Sequence, residues 1–208
     1  MRTIIYVDGF NLYYSALKGT PFKWLDLKTA FQNLLGPHHT IVKIKYFTAL
    51  VSGRVDPGQP IRQQTYIRAL ESYTPEFEPI YGHFLSHVVW ARLANPQKGA
   101  KQYVQIFKTE EKGSDVKLAV HLLHDAWLNN YECAIVVSND SDLSEAMQII
   151  KAHHRKTVGL ICPNDGVRPS RELMKNAHFV KKLRKGVLSI SQLPDPIPST
   201  TISKPASW

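Results

Sequence analysis

The sequence predicts an α/β domain built on a mostly parallel β-sheet, and three observations carry that prediction. Short runs rich in β-branched and aromatic residues (TIIYVD at 3–8, IVKIKYFTALV at 41–51, AIVV at 134–137, TVGLI at 157–161) read as buried strands. Stretches with apolar residues at helical spacing lie between them. The two kinds alternate almost throughout, the order that parallel strands joined by crossover helices require.

Taken in order, Gly9 closes the first strand and Leu12–Leu17 reads as helical. Leu27, Phe31, Leu34 and Leu35 share one helical face within Leu25–Leu35, and Pro37 stops that helix. After the second strand, Arg54 to Pro60 is a turn-rich loop, followed by a helix to about Tyr73. Phe77–Phe84 is a third strand candidate. Pro96 and Gly99 mark a loop within 85–102, and Tyr103–Thr109 has strand character, so this segment reads as a hairpin inserted before the next helix. That helix opens at Ser114 or Asp115 and runs to about 129, carrying Val116, Ala119, Val120, Leu123 and Trp127. Ala134–Val137 is the continuous apolar run of a central parallel strand. Asp142–His153 reads as a helix, Thr157–Ile161 as the final strand and Arg171–Lys175 as a short helix. Residues 178–185, HFVKKLRK, are basic. Residues 194–208, rich in Pro, Ser and Thr, read as extended or disordered. The expected organisation is one domain over residues 1–165, a basic C-terminal extension over 166–193 packed on it, and a tail over 194–208.

Lys and Arg number 26 against 17 Asp and Glu, a formal charge of +9. A surplus of that size favours an acidic partner, most commonly nucleic acid. Cys133 and Cys162 each adjoin an apolar run and read as buried thiols in a reducing compartment. The apolar run before Asp8 is too short for a signal-peptide core, and nothing approaches the roughly 20 apolar residues of a membrane span. A cytoplasmic protein without membrane association is the expectation.

The aspartates stand out by position. Asp8 ends the first strand, Asp115 begins a long helix, and Asp140 and Asp142 follow the strand at 134–137. Ligands of open parallel sheets bind beyond the carboxyl ends of the strands, so Asp8 and Asp140 meet if their strands are neighbours. Whether the helix at Asp115 starts at that same edge depends on the path before residue 112, which the sequence leaves open. Crowded carboxylates repel unless a cation compensates, and Mg²⁺ favours one or two carboxylates, waters and phosphate oxygens. Each residue also has a plainer role: Asp8-Gly9 as a turn, Asp115 and Asp140 as helix caps. The string Ser138-Asn139-Asp140-Ser141-Asp142 exceeds what one cap needs.

Three strings, YVDGFNLYY, EEKGSDVKLAVHLL and VVSNDSDLSEAM, resemble the NYN domain, in the LabA-like branch of the PIN-like nucleases, over about residues 3–162. The resemblance implies a Rossmann-like (PIN-like) three-layer sandwich with a central, mostly parallel sheet. It implies an acidic pocket that binds Mg²⁺ or Mn²⁺ and acts on RNA. By that match Asp8, Asp115 and Asp140 are the metal ligands, Asp142 supports them or binds a second metal, and Asn11 orients a ligand or water. PIN-like relatives often pair, which leaves a homodimer open.

Further residues carry two readings each. Lys112 either offsets phosphate charge or is a solvated lysine. Ser138 either bonds a carboxylate or caps the next helix. Arg168 and Arg171 are either clamps for phosphate oxygens or surface ion pairs. Lys181 and Lys182, in a basic run beside Phe179, are either a phosphate track or a solvated face. Trp24, Trp90 and Trp127 read as packing residues. A metal-dependent ribonuclease is the leading function. The alternative is a PIN-like module that binds nucleic acid or protein without cleaving. A phosphatase of the haloacid dehalogenase type fails because Phe10 stands where its second aspartate is needed.

Overall fold

The structure is a computed structural model and describes residues 1–53, 56–96, 99, 101–164 and 166–208. The start of the Arg54–Pro60 turn, part of the 85–102 segment and residue 165 at the expected domain boundary lie outside the described residues.

The chain forms the expected α/β sandwich. Strands β1 (Arg2–Asp8), β2 (Thr40–Thr48), β3 (Phe77–Tyr81), β6 (Cys133–Val137), β7 (Thr157–Cys162) and β8 (Phe179–Lys182) make one sheet in the order β3-β2-β1-β6-β7-β8. Every pairing in it is parallel. Alternation along β1 shows how the layers form. Ile5 and Val7 pack against α2 (Leu27–Leu35) and α3 (Gln59–Tyr73), while Ile4 and Tyr6 face α4 (Ser114–Trp127) and α5 (Ser144–Ile149). α6 (Arg171–Asn176) joins the second layer through Leu173, and α7 (Lys185–Ile190) joins the first through Leu188. β1 is followed by α1 (Gly9–Leu12) and a π-helical turn, Tyr13–Leu17.

A buried polar network ties the second layer to the sheet. Lys45 on β2 donates to Asp125 on α4 at 2.6 Å, Tyr6 on β1 donates to the same oxygen at 2.7 Å, and Asn130 bonds the other at 3.0 Å. Burial alone would raise the Asp125 carboxyl, but these three hydrogen bonds outweigh it and hold the group below its usual range.

Several expectations are corrected. The strand expected over Ile41–Val51 ends at Thr48. The candidate over Phe77–Phe84 breaks at Gly82, where a Cβ would sit 2.3 Å from Glu111 Oε1 and 2.7 Å from the Lys112 carbonyl. Beyond the break, β4 (His83–Arg92) pairs antiparallel with β5 (Tyr103–Lys112) as a separate two-stranded ribbon, the hairpin the sequence suggested. β7 is not the final strand, because part of the basic run forms β8. The long helix buries Leu118, Leu122 and Ala126, whereas Val116, Val120 and Trp127 are exposed; both stripes are apolar, so periodicity alone picks the wrong one. Trp24 is buried as expected, but Trp90 is 66% and Trp127 79% exposed. The tail lacks regular structure yet is packed: Ile197 is buried, as is Leu193 just before the tail, and Trp208 stacks edge-on against Trp24 and Tyr66 at 6.3 and 5.7 Å. Cys133 and Cys162 are free, buried thiols, and burial pushes Cys133 up to about 12. No helix among the described residues is long and apolar enough to cross a membrane.

Candidate active site

β1 has β2 on one side and β6 on the other, so the strand order reverses between β1 and β6. Open α/β sheets place ligands in the crevice outside such a reversal. Asp8 stands at the end of β1, and Ser138, Asn139 and Asp140 follow β6. The register Val7↔Val137 brings the two ends level.

The ribbon settles where Asp115 lies. Its strands leave and rejoin the sheet at one edge, since His83 pairs with Lys112. α4 therefore starts at the carboxyl edge and descends to the start of β6. Glu111 closes the junction: its two oxygens accept from the Ser114 amide at 3.1 Å and the Ser114 hydroxyl at 2.7 Å. It caps α4 from the ribbon side.

Asp8, Asn11, Asp115 and Asp140 line one open pocket of about 410 Å³, with Glu111, Ser114, Phe10, Tyr14, Ser15 and Phe84. No described lining residue is a lysine or arginine. Asp8 is buried and doubly held: Oδ1 accepts the Asn11 amide and Oδ2 the Ser138 hydroxyl, both at 2.9 Å. Burial raises its carboxyl, those bonds oppose the rise, and the Asp140 charge adds to it. Asn11 Oδ1 accepts the Asn139 amide at 3.2 Å and Asn139 Oδ1 the Ser170 amide at 2.7 Å, so one chain of bonds links α1, the loop after β6 and the loop before α6. Asp140 caps the next turn through the Asp142 amide at 3.0 Å. Asp115 is half-buried and accepts no side-chain hydrogen bond from the described residues. Burial, then the charges of Asp8, Asp140, Glu111 and Asp142, push its carboxyl up to about 6.

Other expected site residues lie elsewhere. Asp142 is exposed outside the pocket, though its charge reaches Asp115. Ser138 is fully buried, and its hydroxyl donates to Asp8 Oδ2. Lys112 is exposed on the ribbon, 3.1 Å from Glu110. Arg168 and Arg171 are exposed near the Asn139 loop. Lys181 and Lys182 line a different groove, beside β8. The pairings Val137↔Ile161 and Cys162↔Lys182 put Lys182 at the same carboxyl edge, three strands from β1, or about 14 Å at ordinary strand spacing. Sequence reasoning missed Glu111, Ser114 and Phe84. Glu111 and Ser114 stood inside the second matching string, and an acid three residues before a helix start was the available signal.

Among the described residues, no three His, Cys, Asp or Glu side chains are gathered closely enough to cage a metal ion. The donor set nevertheless fits a hydrated hard cation. Such an ion needs only one or two carboxylates, with waters and phosphate oxygens completing its shell. Each Asp8 oxygen carries one hydrogen bond and keeps acceptor capacity, and Asp115 and Asp140 face the same open space.

A mostly parallel sheet with a carboxylate pocket at its reversal point defines the class: a Rossmann-like domain with an acidic site. The chain belongs to the NYN domain family, whose model matches residues 2–184. That family falls among the PIN-like nucleases, which act on nucleic acid and generally use divalent metals. The chain is 33% identical, over its whole length and 75% of the relative's, to 6-hydroxy-3-succinoylpyridine 3-monooxygenase HspA of Pseudomonas putida. Its fold matches the crystal structure of VPA0982, a protein of unknown function from Vibrio parahaemolyticus, with a TM-score of 0.58, 18% identity, and coverage of 88% of this chain and 93% of that one.

Proposed function

We propose that the protein is a metal-dependent ribonuclease of the LabA-like branch, working in the cytoplasm, with Asp8, Asp115 and Asp140 as ligands of Mg²⁺ or Mn²⁺. The observation that carries this is an acidic pocket whose described lining includes no lysine or arginine, in a chain of charge +9. A bound divalent ion would activate water and offset charge developing on the phosphate. The residues do the positioning. Asn11 and Ser138 fix Asp8, and Ser138 also accepts the Asp140 amide at 3.1 Å, so the two carboxylates are set by one hydroxyl. Asp142 reinforces the negative field at Asp115. Lys181 and Lys182 form a track for the RNA backbone along the carboxyl edge, and Arg168 and Arg171 lie between that track and the pocket as clamps. Residues 166–193 then serve as an extension of the nuclease domain, and the tail as its brace.

The test is cleavage of a labelled single-stranded RNA by wild type and Asp140→Asn, with Mn²⁺, Mg²⁺ or EDTA. Metal-dependent cutting is expected, and the folded variant should lose it by at least about a hundredfold. A folded Asp140→Asn protein that still cuts overturns the assignment. RNA binding without cutting by wild type selects the non-catalytic module instead.

The resemblance to the monooxygenase supports a second reading, an oxygenase acting on a small aromatic heterocycle. The donor set favours the nuclease: carboxylate and amide oxygens suit Mg²⁺ and Mn²⁺, whereas oxygen-activating iron sites typically include histidines. Dioxygen uptake with 6-hydroxy-3-succinoylpyridine and a reductant, absent without the pyridine, would reverse that preference.

A further inference from the structure

A second cavity, of about 350 Å³, adjoins the acidic pocket and shares Phe10 and Tyr14 with it. That volume is in the range of small-molecule sites, roughly 300–1,000 Å³. Its walls are aromatic, with Tyr13, Tyr46, Tyr66 and Trp208 joining Phe10 and Tyr14. Such walls suit a flat ring, which gains stacking on their faces.

Two further features specify the ring. Tyr46 is 7% exposed, lines the cavity, and has no hydrogen-bond partner for its hydroxyl among the described residues. That hydroxyl is not among the enclosed atoms left without a partner, so it opens to the cavity and offers one polar contact to a ligand edge. Tyr66, by contrast, spends its hydroxyl on the Leu25 carbonyl at 2.8 Å. The lining is also electropositive. Among the described lining residues, Lys18, Lys23 and Arg62 stand against one acid, Asp56, which Arg62 pairs. Lys18 stands 4.9 Å over the ring of Tyr14, which lines both spaces.

Gly9 lines this cavity, and its chain neighbour Asp8 lines the acidic pocket. A Cβ on Gly9 would lie 2.7 Å from Tyr46 Cζ and 2.8 Å from the Phe47 carbonyl, so the tyrosine ring rests on the backbone next to Asp8. The cavity thus adjoins the strand end that carries Asp8.

We propose that this cavity binds a nucleobase, the one carried by a nucleotide next to the phosphodiester in the acidic pocket, with Tyr46 contacting the base edge and Lys18 and Lys23 the adjoining phosphate. The orientation rests on the nuclease reading; the base site itself does not. A polar-edged ring joined to an anion is the chemistry required, and a nucleotide or a small aromatic acid each provides it.

The experiment is calorimetric titration of the full chain, in EDTA, with adenosine and uridine 5′-monophosphates and with pyridine-3-carboxylate. Thermal melts confirm that variants fold. Nucleotide binding is expected, weakened about tenfold by Tyr46→Phe and abolished by Gln59→Trp, which fills the mouth from the first turn of α3. Binding of the pyridine carboxylate more tightly than either nucleotide, or nucleotide binding indifferent to both variants, overturns the proposal. Cleavage of RNA by a protein that binds no mononucleotide refutes the base site and leaves the nuclease standing. Nucleotide binding by a protein that cuts no RNA does the reverse.

Discussion

The six-stranded sheet and the β4–β5 ribbon are built from similar residues but hold together for different reasons. In β6 every residue is buried, and the strand is clamped by neighbours on both sides and helices on both faces. Among the described residues no third strand pairs with the ribbon, and Trp90 and Phe107 stand in solvent. An isolated two-stranded hairpin is marginal in water. This one is secured at its base, where Phe84 meets Phe10 edge-on at 5.7 Å and Glu111 caps α4. Burial thus holds the central strands along their length, whereas the ribbon is anchored where it adjoins the acidic pocket.

The largest break should come inside the sheet. Asp125→Ala strands the Lys45 ammonium and the Tyr6 hydroxyl, and should cost about 3–5 kcal/mol in denaturant unfolding. The sign of its pH dependence follows from the depressed carboxyl. The contribution is complete above the unfolded value, about 3.9, and disappears as pH falls through the lower folded value. Stability measured from pH 5 downward should decline less steeply in the variant. Phe84→Ala attacks the ribbon instead. About 1–2 kcal/mol of local stability should go, seen as faster amide exchange over residues 83–112 with β1 and β6 unchanged. Equal loss in both regions would show that they unfold together.

Where the regions meet, the sign inverts. Asp115 has its carboxyl raised to about 6, so ionisation works against folding at neutral pH, and protonation between about pH 6 and 4 relieves it. In EDTA, Asp115→Asn should raise stability by about 1 kcal/mol at pH 7. A fall would mean that the charge is compensated within the protein. At the ribbon's exposed end, Trp90→Ser should shift stability by less than about 0.5 kcal/mol.

The same contrast explains what could be read from the sequence. β1 and β6 were legible because they are buried on both faces, so their apolar runs are continuous. Asp8 and Asp140 were legible because strand ends anchor them to the fold. β8 was not: it is a four-residue edge strand in which only Phe179 and Val180 are apolar, and lysines are what an edge strand uses to stay unpaired. Tail packing was hidden for a related reason. Leu193, Ile197 and Trp208 make contacts one at a time within a Pro, Ser and Thr composition. Tyr46 and Arg62 join one cavity from a strand and a helix, a long-range meeting without local signature.

The packed tail has a consequence for how the protein is made. Gln192 bridges Leu25, the Trp24 indole donates to the Pro194 carbonyl at 3.1 Å, and Trp208 covers Trp24 and Tyr66. During synthesis from the amino end, every carboxylate of the acidic pocket emerges from the ribosome before Trp208, the last residue to join the walls of the aromatic cavity. A nascent chain of about 190 residues would carry Asp8, Asp115 and Asp140 yet lack Trp208, so the two neighbouring spaces would mature at different times.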